Sequence, residues 1–300
     1  MCGLFGFVHY GENQFKNLPA LTNALAQYSA MRGTDATGIA FVRNGIQIQK
    51  EARSAYQMQF KHPDNVKSLI GHTRHATHGC AKKNYNNHPF FGKAGGRRFA
   101  LAHNGVLWNS TLRLPQTKIE TDSYAAVQLI EKQKELTFDS LRTMAETVSG
   151  SFSFSVLDDT DNLWLIKGDS PLYILHFPRQ KIYTYASTDE ILYKAVIDSP
   201  LFEELKQLRY EEVPIADGTI LKIDSQGKTA RESFRFRESL RPGWWEYDVF
   251  RDPVMRDIDE EYMNILRTAA AYSGIEPEEI DELLAAGLAL EEIEDAIYEV

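Results

Sequence analysis

The chain has 300 residues, 43% of them hydrophobic and 25% charged, enough to bury one or two substantial cores. It has no run of the roughly 18 apolar residues a membrane span needs and no basic-then-apolar opening of the kind that marks a signal peptide. Its formal charge of −9 argues against nucleic acid as the main ligand, and its two cysteines exclude a disulfide framework and fit a reducing, cytoplasmic setting.

The first 240 residues read as strands with a few helices. "CGLFGFV" at the start is apolar and β-prone. "NLPALTNALAQYSAMRG" (17–33) predicts a helix, and "ATGIAFVRNGIQIQKEA" (36–52) predicts two strands joined at Asn44-Gly45, a hairpin signal. "SLIGHTRHATHG" (68–79) begins apolar and ends polar, as a strand running into a site loop would, and "RRFALAHNGVLWN" (97–109) repeats that form. "TDSYAAVQLIEKQKEL" (121–136) predicts a helix with Thr121 or Asp122 at its N-cap and Ala125, Leu129 and Lys132 on one side. "SGSFSFSVLDD" (149–159) alternates serine with Phe152, Phe154 and Val156, a period of two. "NLWLIKGD" adds a strand, and "PLYILHF" with "KIYTYAST" predicts a further hairpin. A mostly antiparallel sheet system with helices outside implies an α+β layered architecture.

The tail differs. Residues 241–300 carry 17 acidic side chains against 4 arginines, so the first 240 are mildly basic. "RPGWWEYDVFRDPVMRD" (241–257) reads as an irregular linker, and three short amphipathic helices are predicted beyond it. They suit a small bundle or docking on a partner.

Cys2 stands directly behind Met1. Removal of Met1 would leave a thiol and a free α-amine on one residue, and that amine, with a reference pKa of about 7.7–8.0, can serve as base for its own side chain. A second-position cysteine is also, more often, an inert buried residue. Further segments bear on the choice: "RGTDATGIA" (32–40), "GHTRHATHG" (71–79) with Arg74 and three histidines, "NNHPF", "AHNGVLWN" (102–109) and "ETDSYAAV" (120–127). Each has a plain structural reading as a turn, a cap or a strand end.

Taken in order, these segments resemble the glutaminase domain of class II glutamine amidotransferases, and most of all the glutaminase half of glucosamine-6-phosphate synthases. The resemblance runs over roughly residues 2–225, with later echoes in "SGSFSFSVLD", "GDSPLYI" and "ASTDEIL". It implies the four-layer αββα sandwich of N-terminal-nucleophile hydrolases for residues 1–238. Residues 239–300, read from their charge and apolar spacing, are an acidic, mainly helical extension that either docks on a partner or packs back on the sandwich.

The resemblance also implies roles. Cys2 matches the nucleophile. Arg74 matches the cation for the α-carboxylate of L-glutamine, and Asp122 matches the carboxylate for its α-ammonium. Asn104, by its side chain, and Gly105, by its backbone N–H, match an oxyanion-binding pair. Thr77 and His78 match the substrate-pocket segment, and Arg32 matches an arginine near the nucleophile. The implied reaction releases glutamate and ammonia and requires no metal or organic cofactor; the ammonia is either released freely or supplied to a synthase or transferase partner, a delivery for which the helical tail is suited. Two other classes share parts of the pattern: an N-terminal-cysteine amidase acting on another amide, and a non-catalytic binding module on the same fold. Where relatives usually carry tryptophan between the arginine and A-T-H-G, this chain has His75, which places a change at the closing loop or at the link to an acceptor site. His72, His75, His78 and Cys80 could be read as a metal cluster, but along a strand that runs into a loop their every-third spacing lines up no common face.

Overall fold

The alternation along strand β1 (Gly3–His9) shows how the layers arise. In the computed structural model, which describes residues 2–11, 17–108, 114–199 and 210–236, Phe5 and Phe7 join one apolar layer and Leu4 and Val8 another. Successive side chains of a strand point to opposite faces, and a strand apolar on both faces has to lie inside the molecule.

The first layer lies between a sheet and two helices, α1 (Leu18–Ser29) and α4 (Asp189–Ile197). That sheet has seven strands. Strands β11 (Glu211–Glu212), β9 (Tyr173–Phe177), β10 (Ile182–Ala186) and β1 are followed in spatial order by β4 (Ser68–Arg74), β2 (Ala36–Val42) and β3 (Ile46–Glu51). The second sheet has six, in the order β13 (Thr229–Ser233), β12 (Thr219–Ile223), β8 (Leu163–Lys167), β7 (Gly150–Asp158), β6 (Arg97–Leu107) and β5 (Phe90–Ala94). Helices α2 (Tyr124–Gln133) and α3 (Phe138–Thr147) cover it through Phe152, Phe154, Ile130 and Met144. Between the sheets lie Leu4, Val8, Ile70, Ala100, Leu157 and Leu165. The result is the expected α+β, four-layer αββα sandwich.

The predicted hairpins form: β2 pairs with β3 around Asn44 and Gly45, both at positive φ, and β9 pairs with β10. Two expectations need correction. Asn104-Gly105 does not lead out of a strand; β6 continues through it to Leu107, paired residue by residue with β7. Gly105 sits at φ 135°, and a Cβ there would collide with the Ser151 carbonyl, so glycine keeps the strand paired. Thr121 and Asp122 do not cap α2. Its N-cap is Ser123, with no side-chain cap bond; the Ser123 hydroxyl lies against His103 Nδ1 instead, and the Asp122 carboxylate is taken by the Leu107 amide. The deeply buried face of α2 is Ala126, Val127 and Ile130, whereas Lys132, at the margin of that stripe, stays exposed with its ammonium in water.

The chain divides into two units, residues 1–240 and 241–300, and every described residue lies in the first. The helices expected in the acidic extension, and its Trp244-Trp245 pair, lie outside the described residues.

Candidate active site

Strand pairing brings three chain segments to one end of the seven-stranded sheet. β1 runs antiparallel to β4 with Gly3 opposite Thr73, and β2 flanks β4 on the other side with Ala36 opposite Arg74. Cys2 therefore emerges beside the end of β4. Its Sγ lies 3.4 Å from the His75 amide nitrogen, which donates to it, and 3.4 Å from the His75 carbonyl, to which the thiol donates. Buried Arg32 fixes the backbone at this point, its Nε donating to the Cys2 carbonyl at 2.8 Å. Burial pushes the Cys2 thiol pKa up, while the His75 amide and the charges of Arg74 and Arg32 pull it back.

Arg74 is 3% exposed. Its Nη1 donates to Asn87 Oδ1 at 2.7 Å, and its Nη2 donates to the carbonyls of His78 and Gly79. Burial loosens the guanidinium's hold on its proton, and Cys2, Asp35, Asp122 and Cys80 act in the opposite sense. The carboxylates of Asp35 and Asp122 thus act on one cation from separate parts of the sequence. Thr77 and His78 lie exposed on the loop that Arg74 ties down, and the His78 contact is made by its carbonyl, not its ring.

Strand β6 of the other sheet meets β4 here. His72 Nε2 and the His103 carbonyl are 2.9 Å apart, joining β4 to β6. Next to His103, Asn104 is 2% exposed and its Nδ2 has no hydrogen-bond partner among the described residues. A buried amide N–H without an acceptor costs about 1–3 kcal/mol, so this donor has capacity for one more hydrogen bond. Asp122 Oδ2 accepts from the Leu107 amide at 2.6 Å, and Ser123 Oγ, 3.5 Å from Asp122 Oδ1, is also 2.8 Å from His103 Nδ1. The carboxylate is anchored through one oxygen and retains lone pairs on the other.

The structure thus gathers Cys2, Arg32, Arg74, Asn104, Gly105 and Asp122 at the facing ends of β1, β4 and β6, with Thr77 and His78 on the adjoining loop. His72, by contrast, is buried between the sheets, apart from exposed His75, His78 and Cys80. Among the described residues no three metal-ligating side chains converge. Sequence reasoning missed the residues that shape the loop. Asp35 Oδ2 accepts from the Ala76 amide at 2.7 Å. Asn86 and Glu120 bond each other's groups, and Lys83 pairs with Glu120. Asn87 holds Arg74, and Lys50 holds Asn87. Only the asparagine run in "KKNYNNHP" hinted at them, since several short amides in a row serve to satisfy backbone groups where a chain has no sheet partner.

A family model for class II glutamine amidotransferases matches residues 1–155, just over half of the chain. The chain belongs to the class II glutamine amidotransferases. Its relatives include the glutamine–fructose-6-phosphate aminotransferase of Oceanobacillus iheyensis, 29% identical over 88% of this chain and 45% of that protein. The corresponding enzyme of Bacillus cereus is 32% identical over 91% of this chain and 45% of its own length. This class II amidotransferase chain thus spans about half the length of the curated relatives it matches. Among solved structures, the glutamine phosphoribosylpyrophosphate amidotransferase of B. subtilis superposes with a TM-score of 0.60 at 22% identity, over 79% of this chain and 50% of the other. That likeness carries the fold alone, the four-layer αββα sandwich described above. Among the described residues no helix is long and apolar enough to cross a membrane.

Proposed function

We propose that this chain releases ammonia from the side-chain amide of L-glutamine, with Cys2 as nucleophile once Met1 has been removed. The observation that carries the reading is the buried Asn104 Nδ2 without a partner, on the strand that His72 ties to the nucleophile's sheet. The α-amine of Cys2 takes the thiol proton, and the thiolate attacks the amide carbon. Negative charge collects on the former carbonyl oxygen, where the Asn104 side chain and the Gly105 N–H receive it. The proton passes to the leaving nitrogen, the C–N bond breaks, and ammonia departs. A γ-glutamyl thioester remains, and water cleaves it to glutamate and the free thiol. Arg74 takes the α-carboxylate of the substrate and Asp122 its α-ammonium. Arg32 holds the Cys2 backbone, and Thr77 and His78 border the pocket. No step calls for a metal or an organic cofactor.

The amide nitrogen goes to an acceptor bound by a synthase or transferase partner. Residues 1–238 form the glutaminase domain in this reading, and the acidic residues 239–300 are the segment suited to contact that partner.

Treatment with a diazoketone analogue of glutamine, followed by mass analysis of the N-terminal peptide, tests the chemistry. An adduct on Cys2 with Met1 absent is expected, together with glutamine-dependent ammonia release. Retained Met1 with no ammonia release would defeat the proposal. Partner capture with and without residues 239–300 tests the second part, and a partner indifferent to their removal would sink it.

A further inference from the structure

Lys50 occupies a position that the fold alone does not explain. It lies on β3, the edge strand of the seven-stranded sheet, opposite Gly38. A Cβ on Gly38 would collide with the His88 carbonyl and with Lys50 Cβ; glycine lets the Asn87–Pro89 segment lie across the two strands. The Lys50 ammonium turns inward to that segment, donating to the Asn87 carbonyl at 2.5 Å and the Pro89 carbonyl at 3.0 Å, with the Phe90 ring centroid 5.1 Å away. The Lys50 carbonyl in turn accepts from Asn84 Nδ2 at 2.8 Å. Asn84 Oδ1 accepts from Asn87 Nδ2 at 3.2 Å, and Asn87 Oδ1 accepts from Arg74. Lysine, two asparagines and the arginine form one connected network around a buried amide.

The charges facing Lys50 make this arrangement costly. Arg74 of β4 is the nearby cation, and His72 of β4 and His88 of the crossing segment also sense the ammonium. Glu51, its neighbour on β3, pairs with Arg53 instead, and among the described residues no carboxylate pairs with Lys50. Burial, and then the charge of Arg74, lower its pKa to about 8. Lys50 is thus held half-buried near an arginine, with two carbonyls and the Phe90 ring as its partners and no carboxylate among the described residues to offset the burial of its charge.

We propose that Lys50 is a positioning residue for substrate capture: it fixes the Asn87–Pro89 segment so that Asn87 sets the orientation of the Arg74 guanidinium, and it adds its own charge to the field that draws in an α-carboxylate. The inference rests on the glutamine reading given above. It gives the affinity for glutamine an alkaline limit. Lys50 is charged below its pKa, so capture is strongest there and weakens as pH rises through about 8.

Steady-state glutaminase assays from pH 6.5 to 9.5 on the wild type, Lys50→Met and Lys50→Arg test this, with folding checked by circular dichroism. Loss of one charge-assisted bond predicts a KM for glutamine about ten-fold higher in Lys50→Met at pH 7, with kcat within about two-fold. Lys50→Arg should restore most of the loss and move the limb attributed to Lys50 beyond the measured range, since arginine stays charged. The limbs from glutamine's own amine and from Cys2 should remain in all three. A folded Lys50→Met protein with wild-type KM and pH profile would overturn the inference. If Lys50→Met does not fold, Lys50→Arg decides: an unshifted KM limb overturns it. Wild-type protein with a free Cys2 terminus and no turnover would sink the glutaminase reading instead. The 15N resonance of the Arg74 guanidinium in the full chain would then decide the positioning role, supported if Lys50→Met displaces it and overturned if it does not move.

Discussion

His72 Nε2 lies 2.9 Å from the carbonyl oxygen of His103, and this contact joins the two sheets directly behind the candidate site. The His88 ring packs 4.1 Å from His72 and 6.5 Å from His103, and all three histidines are buried. Burial lowers the pKa of each: His72 to about 3, His88 well below the ordinary value, and His103 below it as well. Neither ring nitrogen of His88 has a partner among the described residues. The column is neutral in the folded protein.

Acid should therefore unfold the protein by charging this column. A histidine whose folded pKa is depressed contributes stability that is complete above its unfolded pKa of about 6.5 and is lost as pH falls toward the folded value. Between pH 7.5 and 5 His72, with its folded pKa of about 3, should remove roughly 2 kcal/mol, at about 1.4 kcal/mol per pH unit below 6.5, and His88 and His103 act in the same direction. Urea unfolding across that range measures it, and a flat profile would contradict neutral burial.

Asn104→Ala separates chemistry from capture. Loss of one oxyanion donor costs about 10²- to 10³-fold in kcat, and KM should change only a few-fold because the ground-state carbonyl uses the donor weakly. An equal rise in KM with kcat preserved would move Asn104 out of the oxyanion role. Truncation also removes a buried unpartnered amide, so the variant should be no less stable than the wild type toward urea.

Asp122→Asn tests the ammonium site. Asparagine keeps an oxygen for the Leu107 amide, now held at 2.6 Å, so the backbone should stay in place. Only the charge is lost. A KM increase of about ten- to a hundred-fold is expected, in line with removing one charge-assisted contact, and an amide substrate without an α-ammonium should be turned over equally by both proteins. Unchanged KM for glutamine would exclude the role.

Gly33→Ala tests how tightly the Cys2 thiol is framed. Its Cβ would collide with the backbone where Arg74 meets His75, and backbone cannot rotate out of the way as a side chain can. We expect a loss of about 1–3 kcal/mol from overpacking and slower alkylation of Cys2, since the displaced amide is the one that donates to Sγ. Thermal melts and iodoacetamide kinetics report the two effects separately.

The fold was legible because its strands are apolar on both faces or strictly alternating. Phe152, Phe154 and Val156 declared their layer, although Ser153 and Ser155 do not face water as simple alternation suggests; both are fully buried between the sheets. The candidate site suggested itself where residue types combine rarely, as at Cys2, Arg74 and Asp122, which the strand pairing brings to one end of the sheets. It was not legible where a residue acts through backbone carbonyls. Lys50 in "IQIQKE" looks like any polar residue on an edge strand, and Asn87 like any loop amide, because a carbonyl partner leaves no trace in residue identity. Asn104-Gly105 misled for a related reason: the pair favours turns, and only the packing of Ser151 against Gly105 holds it in a strand.

The bonds of Arg74 bear on how a substrate enters. A guanidinium can grip a carboxylate in parallel fashion along either of two edges, Nε with Nη2 or Nη1 with Nη2. Nη2 belongs to both, and here it serves the His78 and Gly79 carbonyls. A two-pronged grip on an incoming carboxylate must therefore displace a carbonyl of the chain's own loop. In the proposed role, docking at Arg74 is therefore an exchange of partners rather than an addition: a carboxylate taken there has to lift the latch that Arg74 now closes on its own loop.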